Sequence, residues 1–328
     1  MATRARILLI VAMIVCGALS AQCYLPMIES SNGALVRWKN NATTYQICPD
    51  LSGSRFAAGD LAAIEDVMED VFAAWTSAPN TALSISRSTA ALPNPVIGND
   101  GHNVVCFNCQ DPVFTNAAGS STDTLAVTDI TYTFNSQGAY LKDADIQFNP
   151  AVTFVLPPQA GSDTAATYSL LTVATHEAGH FFGLDHSAVL RAVMYPYAST
   201  LLTTLSYDDV AVISLLYPKA TADYATGAIS GTISLSSDNS GVYGAHVFAS
   251  STTDNAPPSG FNIRKSAVGV LTGLDGTYTI MGLPPDTYYV TAEPLDGPVQ
   301  GSNVSWYDKN SQGQPVRSLQ TNFTTRWH

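Results

Sequence analysis

Charge is scarce in this 328-residue chain, with Asp, Glu, Lys and Arg together at 12%, about half the usual share. Repulsion cannot hold such a chain open, and its 46% of hydrophobic residues provide for a large buried core. Basic residues are the scarcest of all: 14 Lys and Arg stand against 26 Asp and Glu, a formal net charge of -12. An acidic surface repels nucleic-acid phosphates and anionic lipid, which excludes nucleic acid as the partner. Long apolar runs are missing too. The run at residues 7–15 is shorter than the ~20 residues a spanning helix needs. Arg4 and Arg6 precede it, and Gly17, Ala18, Ser20 and Ala21 follow it. This is the pattern of a cleaved signal peptide over residues 1–21, so a secreted, extracellular protein without stable membrane insertion is expected.

Cysteine is rare as well. Cys16 falls in the signal, leaving Cys23, Cys48, Cys106 and Cys109, an even number that favours disulfides in an exported chain. Three pairings are open; Cys23 with Cys48 and Cys106 with Cys109 are the expected ones. A four-cysteine zinc site would need a second close pair, and the chain has a single CxxC.

What is present divides into two patterns. Short strands are expected at 34–38 and 44–48, then a helix in which Leu61, Ile64, Met68, Phe72 and Trp75 recur at helical spacing, capped by Asp60 and stopped by Pro79. Residues 91–124, rich in Pro, Gly, Asn and Ser, read as irregular loop. Strands are expected at 125–134 and 144–148, a second helix at about 165–182 and a third at 207–217. Beyond 218 the helical period disappears. After a linker at 219–227, short β-runs at 229–235, 245–249, 269–271, 277–281 and 288–292 alternate with turn signals, the pattern of a small all-β sandwich over 228–328.

The chemistry concentrates at residues 175–187, where His176, Glu177, His180, Gly183 and His186 form HExxHxxGxxH. Five specified residues in register arise by chance in on the order of one in a hundred thousand chains of this length, from average composition. On a helix, His176 and His180 lie one turn apart on one face and can present ring nitrogens to one ion. Gly183 lets the chain leave the helix through a left-handed conformation, which returns His186 as a third ligand. Three neutral imidazoles leave a zinc ion its charge and one open position, the mark of a catalytic site. In this motif the Glu177 carboxylate is aimed at the water in that position, to take its proton during attack on a peptide carbonyl and deliver it to the leaving amine.

With these residues the chain resembles the matrixin branch of the metzincin metallopeptidases, most tightly over 172–197 and in outline over 34–218. The serine after the third histidine, Ser187, is the type matrixins carry there. The resemblance implies an α+β fold: a metzincin catalytic domain at 22–218, with a twisted mixed β-sheet, an active-site helix and a Met-turn, followed by the small all-β sandwich. It implies that Met194 in the run at 192–197 forms an apolar floor beneath the metal and that Pro196 and Tyr197 border the pocket for the residue after the scissile bond. Asp209 would brace the Met-turn. Residues 37–38 resemble the first strand and 143–146 the substrate-facing edge strand region, where an extended peptide would add as one more strand.

One catalytic zinc is implied, with calcium as a further candidate at 99–102 or 143–145. A propeptide with a cysteine switch is not evident, and a second zinc lacks histidines, since His102, His246 and His328 are the only ones outside the motif. The runs at 244–249 and 275–290 resemble carboxypeptidase regulatory-like domains, β-sandwiches without catalytic residues. The function expected is that of a secreted, monomeric zinc metalloendopeptidase acting on polypeptide. The alternative is a secreted or surface adhesion protein with a vestigial metal site.

Overall fold

The computed structural model describes residues 26–29, 33–90, 97–108, 114, 124–157, 167–197, 204–252, 267–300, 303–304 and 318–327. The expected signal peptide, Cys23, Cys109 and His328 lie outside them.

The first part of the chain is α+β around a mixed sheet. Its strands are β1 (Ile28–Glu29), β2 (Ala34–Arg37), β3 (Ala42–Ile47), β4 (Ser84–Arg87), β5 (Val104–Cys106), β6 (Ala126–Asn135) and β7 (Gly138–Phe148). Strands β4, β3, β5 and β7 run parallel in that order, β2 pairs parallel with the start of β7, and β1 extends β2 antiparallel. Strand β6 pairs antiparallel along the whole other side of β7. Two short strands, β8 (Thr153–Val155) and β9 (Thr167–Ser169), pair parallel elsewhere.

Helix α1 (Leu61–Thr76) buries Ile64, Val67, Met68, Val71, Phe72 and Trp75, the stripe that its three- and four-residue spacing dictates. Helix α2 (Leu170–Phe181) starts later than its periodicity predicts. Thr167, Tyr168 and Ser169 pair as β9 instead, and the Ser169 hydroxyl then accepts the Thr172 N–H at 3.3 Å as the helix cap. Helix α3 (Tyr207–Leu216) begins on a reciprocal capping box between Ser206 and Asp209.

The expected irregular stretch at 91–124 contains β5, and β4 precedes it. Val104, Val105 and Cys106 are buried on both faces between β3 and β7, so they show no alternation to read. Residues 143–146 are corrected from edge to interior: β7 is flanked by β6 on one side and by β2 and β5 on the other. Strand β6 has the outer edge, and no other described strand pairs with it.

Cys48 is corrected as well. It is a free, buried thiol enclosed by Val104 and Cys106, its N–H bonded to the Val105 carbonyl at 2.9 Å. Cys48 therefore does not form the expected pairing with Cys23. Burial also raises its pKa and keeps it a thiol. Cys106 is disulfide-bonded.

Residues 218–224 lie along Asn80. Its carbonyl accepts the Lys219 N–H at 2.9 Å, and its side-chain oxygen accepts the Asp223 N–H at 2.6 Å. From there on the described residues form strands: β10 (Gly227–Thr232), β11 (His246–Ser251), β12 (Val268–Leu271), β13 (Thr277–Leu283), β14 (Tyr288–Glu293) and β15 (Arg326–Trp327). Strands β10 and β13 pair, and β12, β11, β14 and β15 form an antiparallel sheet. One buried cluster runs from Trp38, Phe72 and Trp75 through Phe181 and Tyr217 into Val247, Val270 and Ile280. Among the described residues no helix is long and apolar enough to cross a membrane.

Candidate metal centre and active site

Helix α2 is held at its middle and at its C-terminal end by buried aromatic groups. The Trp75 indole N–H donates to the Thr175 carbonyl at 2.9 Å, and that of Trp38 donates to the Phe181 carbonyl at 2.9 Å. The Tyr217 hydroxyl donates to the Phe182 carbonyl at 2.7 Å. After Phe182 the chain turns at Gly183, with φ +92°, and the Leu184 N–H returns to the Gly179 carbonyl. This turn carries the chain back to His186.

His176, His180 and His186 then present ligand atoms within 4.8 Å of one another, the one group of this kind among the described residues. Each ring has the same second contact. Nδ1 of His176 meets the Val193 carbonyl at 2.7 Å, that of His180 the Leu184 carbonyl at 2.8 Å, and that of His186 the Asn303 carbonyl at 2.6 Å. A carbonyl only accepts, so each Nδ1 carries the proton and each Nε2 keeps its lone pair for a metal. Burial, with His186 nearby, pushes His176 down to about 4 and holds His180 well below the ordinary histidine range, so both rings stay neutral. Three ring nitrogens with Nε2 turned to a common point fit a zinc ion with an open position.

Glu177 lies on the same helix and is buried. Its Oε2 accepts the Thr128 hydroxyl at 2.6 Å, so β6 aims the carboxylate. Burial pushes Glu177 up to about 7, against the lowering effect of that hydrogen bond. Thr128 has no signal in the sequence, because its partner is 49 positions away.

Met194 lies directly under α2. A side chain at Gly179 would come within 2.1 Å of the Met194 sulfur and 3.0 Å of Trp75, so the helix passes over the methionine only at a glycine. Asp209 accepts the Val193 N–H at 2.8 Å and the Met194 N–H at 3.1 Å, together with the Ser206 N–H and hydroxyl. Asp208 accepts the Ser187 hydroxyl at 2.6 Å and the Gly269 N–H at 2.9 Å. Tyr197 is half exposed, and its hydroxyl donates to the Pro298 carbonyl at 2.9 Å. Pro196 precedes it. His102 and His246 stand apart, on Gln46 and Glu293 respectively.

The two candidate calcium segments meet each other. Asp143 accepts the Asp100 and Gly101 N–H groups, and Asp145 accepts those of Gly98 and Val104. The two carboxyls lie against each other, and among the described residues Asp143 Oδ1 has no donor. Burial, with Asp143 alongside, pushes Asp145 up to about 7 despite the two N–H groups. Above the ordinary carboxyl range near ~4 the folded chain therefore holds a proton that the unfolded chain has released. This contribution to stability is complete below that range and declines as pH rises to about 7. Asp143→Asn supplies a permanent donor within the pair and is expected to flatten that decline. Urea unfolding between pH 4.5 and 7.5 checks it, and an unchanged slope would reject the part of Asp143 in holding the proton on Asp145.

Comparison with known proteins agrees with this geometry. The Peptidase_M10 (matrixin) family matches residues 115–218, from the segment before β6 to the end of α3. Karilysin of Tannerella forsythia is 37% identical over 73 residues, 20% of this chain and 16% of that protein. Matrix metalloproteinase-9 of Canis lupus familiaris is 55% identical over 51 residues, 15% of this chain and 7% of that protein. Metalloendoproteinase 1 of Glycine max is 43% identical over 58 residues, 17% of this chain and 19% of that protein. The chain thus spans well under two thirds of the length of each of these relatives.

Proposed function

We propose that this chain is a secreted zinc metalloendopeptidase that cuts extended polypeptide. The observation that carries the reading is the set of three imidazoles whose Nδ1 atoms all face backbone carbonyls, gathered beside a buried carboxylate. A zinc ion held by His176, His180 and His186 would supply a Lewis acid that polarises the scissile carbonyl and makes water acidic enough to attack near neutral pH.

Glu177 takes the proton of the attacking water. The Thr128 hydroxyl holds one oxygen of the carboxylate and leaves the other for this transfer. The same carboxyl then returns the proton to the leaving amine. Substrate adds as a further strand along the outer edge of β6, which places a backbone carbonyl beside Glu177. Pro196 and Tyr197 border the pocket for the side chain that follows the cut bond. The β strands after residue 227 form an accessory region of the carboxypeptidase regulatory-like type.

The test is hydrolysis of casein by the chain lacking residues 1–21. Cleavage is expected to stop with a zinc chelator and to return when zinc is added back. A folded, zinc-loaded protein that leaves casein and a panel of unstructured peptides intact would overturn the reading in favour of an adhesion protein with a vestigial site.

A further inference from the structure

The second contacts of the three histidines differ in origin. Val193 and Leu184 belong to the same region as the rings they hold, 17 and 4 positions away. The carbonyl that holds His186 belongs to Asn303, 117 positions away and beyond β14. His186 is also the ligand with the least local support: it follows the helix, past the turn at Gly183, whereas His176 and His180 are fixed by α2 itself.

The contact is built. Asn303 donates its N–H to the Gln300 carbonyl at 2.9 Å, and its side-chain oxygen accepts the Gln300 N–H at 2.8 Å, a reciprocal pair that holds the residue carrying the carbonyl. Leu295, Val299 and Val304 are buried with Leu271 and pack against Ala188 and Tyr195, in the loop that follows His186. Asp208 ties the same loop to β12 by accepting from Ser187 and Gly269 at once.

We propose that the C-terminal β region completes the metal centre, with Asn303 as a positioning residue whose carbonyl fixes the tautomer and orientation of His186. This rests on the zinc reading above and assigns to the accessory region a share in ligand geometry. A ring held in the Nδ1–H form binds metal without first reorienting, and loss of such an outer partner weakens metal affinity about 10–100-fold. Asn303→Ala keeps the carbonyl and removes the side-chain half of the lock on it, so the lower end of that range is expected. Asn303→Asp keeps the oxygen that accepts from Gln300 and is expected to restore near wild-type affinity.

The experiment uses the chain lacking residues 1–21 and two readouts. Competition with a chromophoric chelator gives the zinc affinity of wild type, Asn303→Ala and Asn303→Asp. Nitrogen-15 spectra of the zinc-free proteins give the tautomer of each histidine ring. Expected are an Nδ1–H His186 in wild type, a mixed population and about tenfold weaker zinc binding in Asn303→Ala, and recovery of both in Asn303→Asp. Wild-type zinc affinity in Asn303→Ala, or an Nε2–H His186 in the zinc-free wild type, would overturn the proposal. The second result stands even if the alanine variant fails to fold. A wild type that binds no zinc at all would sink the enzyme reading instead, which separates the two.

Discussion

Replacing Glu177 with Ala or Gln is expected to lower kcat/KM on casein by about 10²–10⁴-fold, the usual worth of a positioned proton carrier. Zinc affinity should stay near wild type, because the three ring nitrogens keep their carbonyl partners. Stability should move the other way. Burial already raises Glu177 to about 7, so the native chain carries an ionised carboxylate in a place that disfavours one. Above that pH the carboxylate is charged in both states and costs more when folded, so the folded protein loses stability that a neutral Gln does not lose. Glu177→Gln should therefore melt at a higher temperature than wild type in the zinc-free form at pH 8, the trade of stability against activity common at working sites. A variant with near wild-type turnover would reject the proton-transfer role. A lower melting temperature would reject the burial argument while leaving the chemistry untouched.

The parts of this molecule that can be read in the sequence are those whose causes are local. Helix α1 shows itself because six buried side chains repeat at helical spacing, and the three histidines because a helix and one glycine turn bring them together. What cannot be read depends on distant pairing. Thr128 reaches Glu177, and Asn303 reaches His186, across stretches that leave no periodic trace. Strand β5 is short and buried on both faces, so alternation never marks it. The edge of the sheet lies one strand further out than residues 143–146 suggest, since their pattern tells which face is buried and says nothing about which strand lies outermost. Cysteine parity favours pairing Cys48, but its enclosure by Val104 and Cys106 is a fact of register between β3 and β5.

Gly183 carries the other large expected effect. Its φ of +92° lies in the left-handed region, where a residue with a Cβ costs roughly 1–3 kcal/mol. The space is also closed, since a Cβ there would stand 2.3 Å from the Val36 carbonyl oxygen. That oxygen cannot easily withdraw. Val36 is fully buried, its N–H is bonded to the Met27 carbonyl, and the Met27 N–H is bonded back to the Gly183 carbonyl. Gly183→Ala must therefore push the turn away from β2, and His186 three residues on moves with it. Gly98 separates the two causes. It has φ +90°, and a Cβ there would meet no atom of the described residues within 4 Å, so Gly98→Ala carries backbone strain alone. The expected order is a melting temperature lowered by a few degrees in Gly98→Ala with zinc affinity intact. Gly183→Ala should show a larger fall together with zinc binding weakened by about 100-fold or more, since a first ligand is displaced rather than its outer partner. Equal losses in the two variants would mean that conformational strain, and not the approach to Val36, makes glycine necessary at the turn that returns His186.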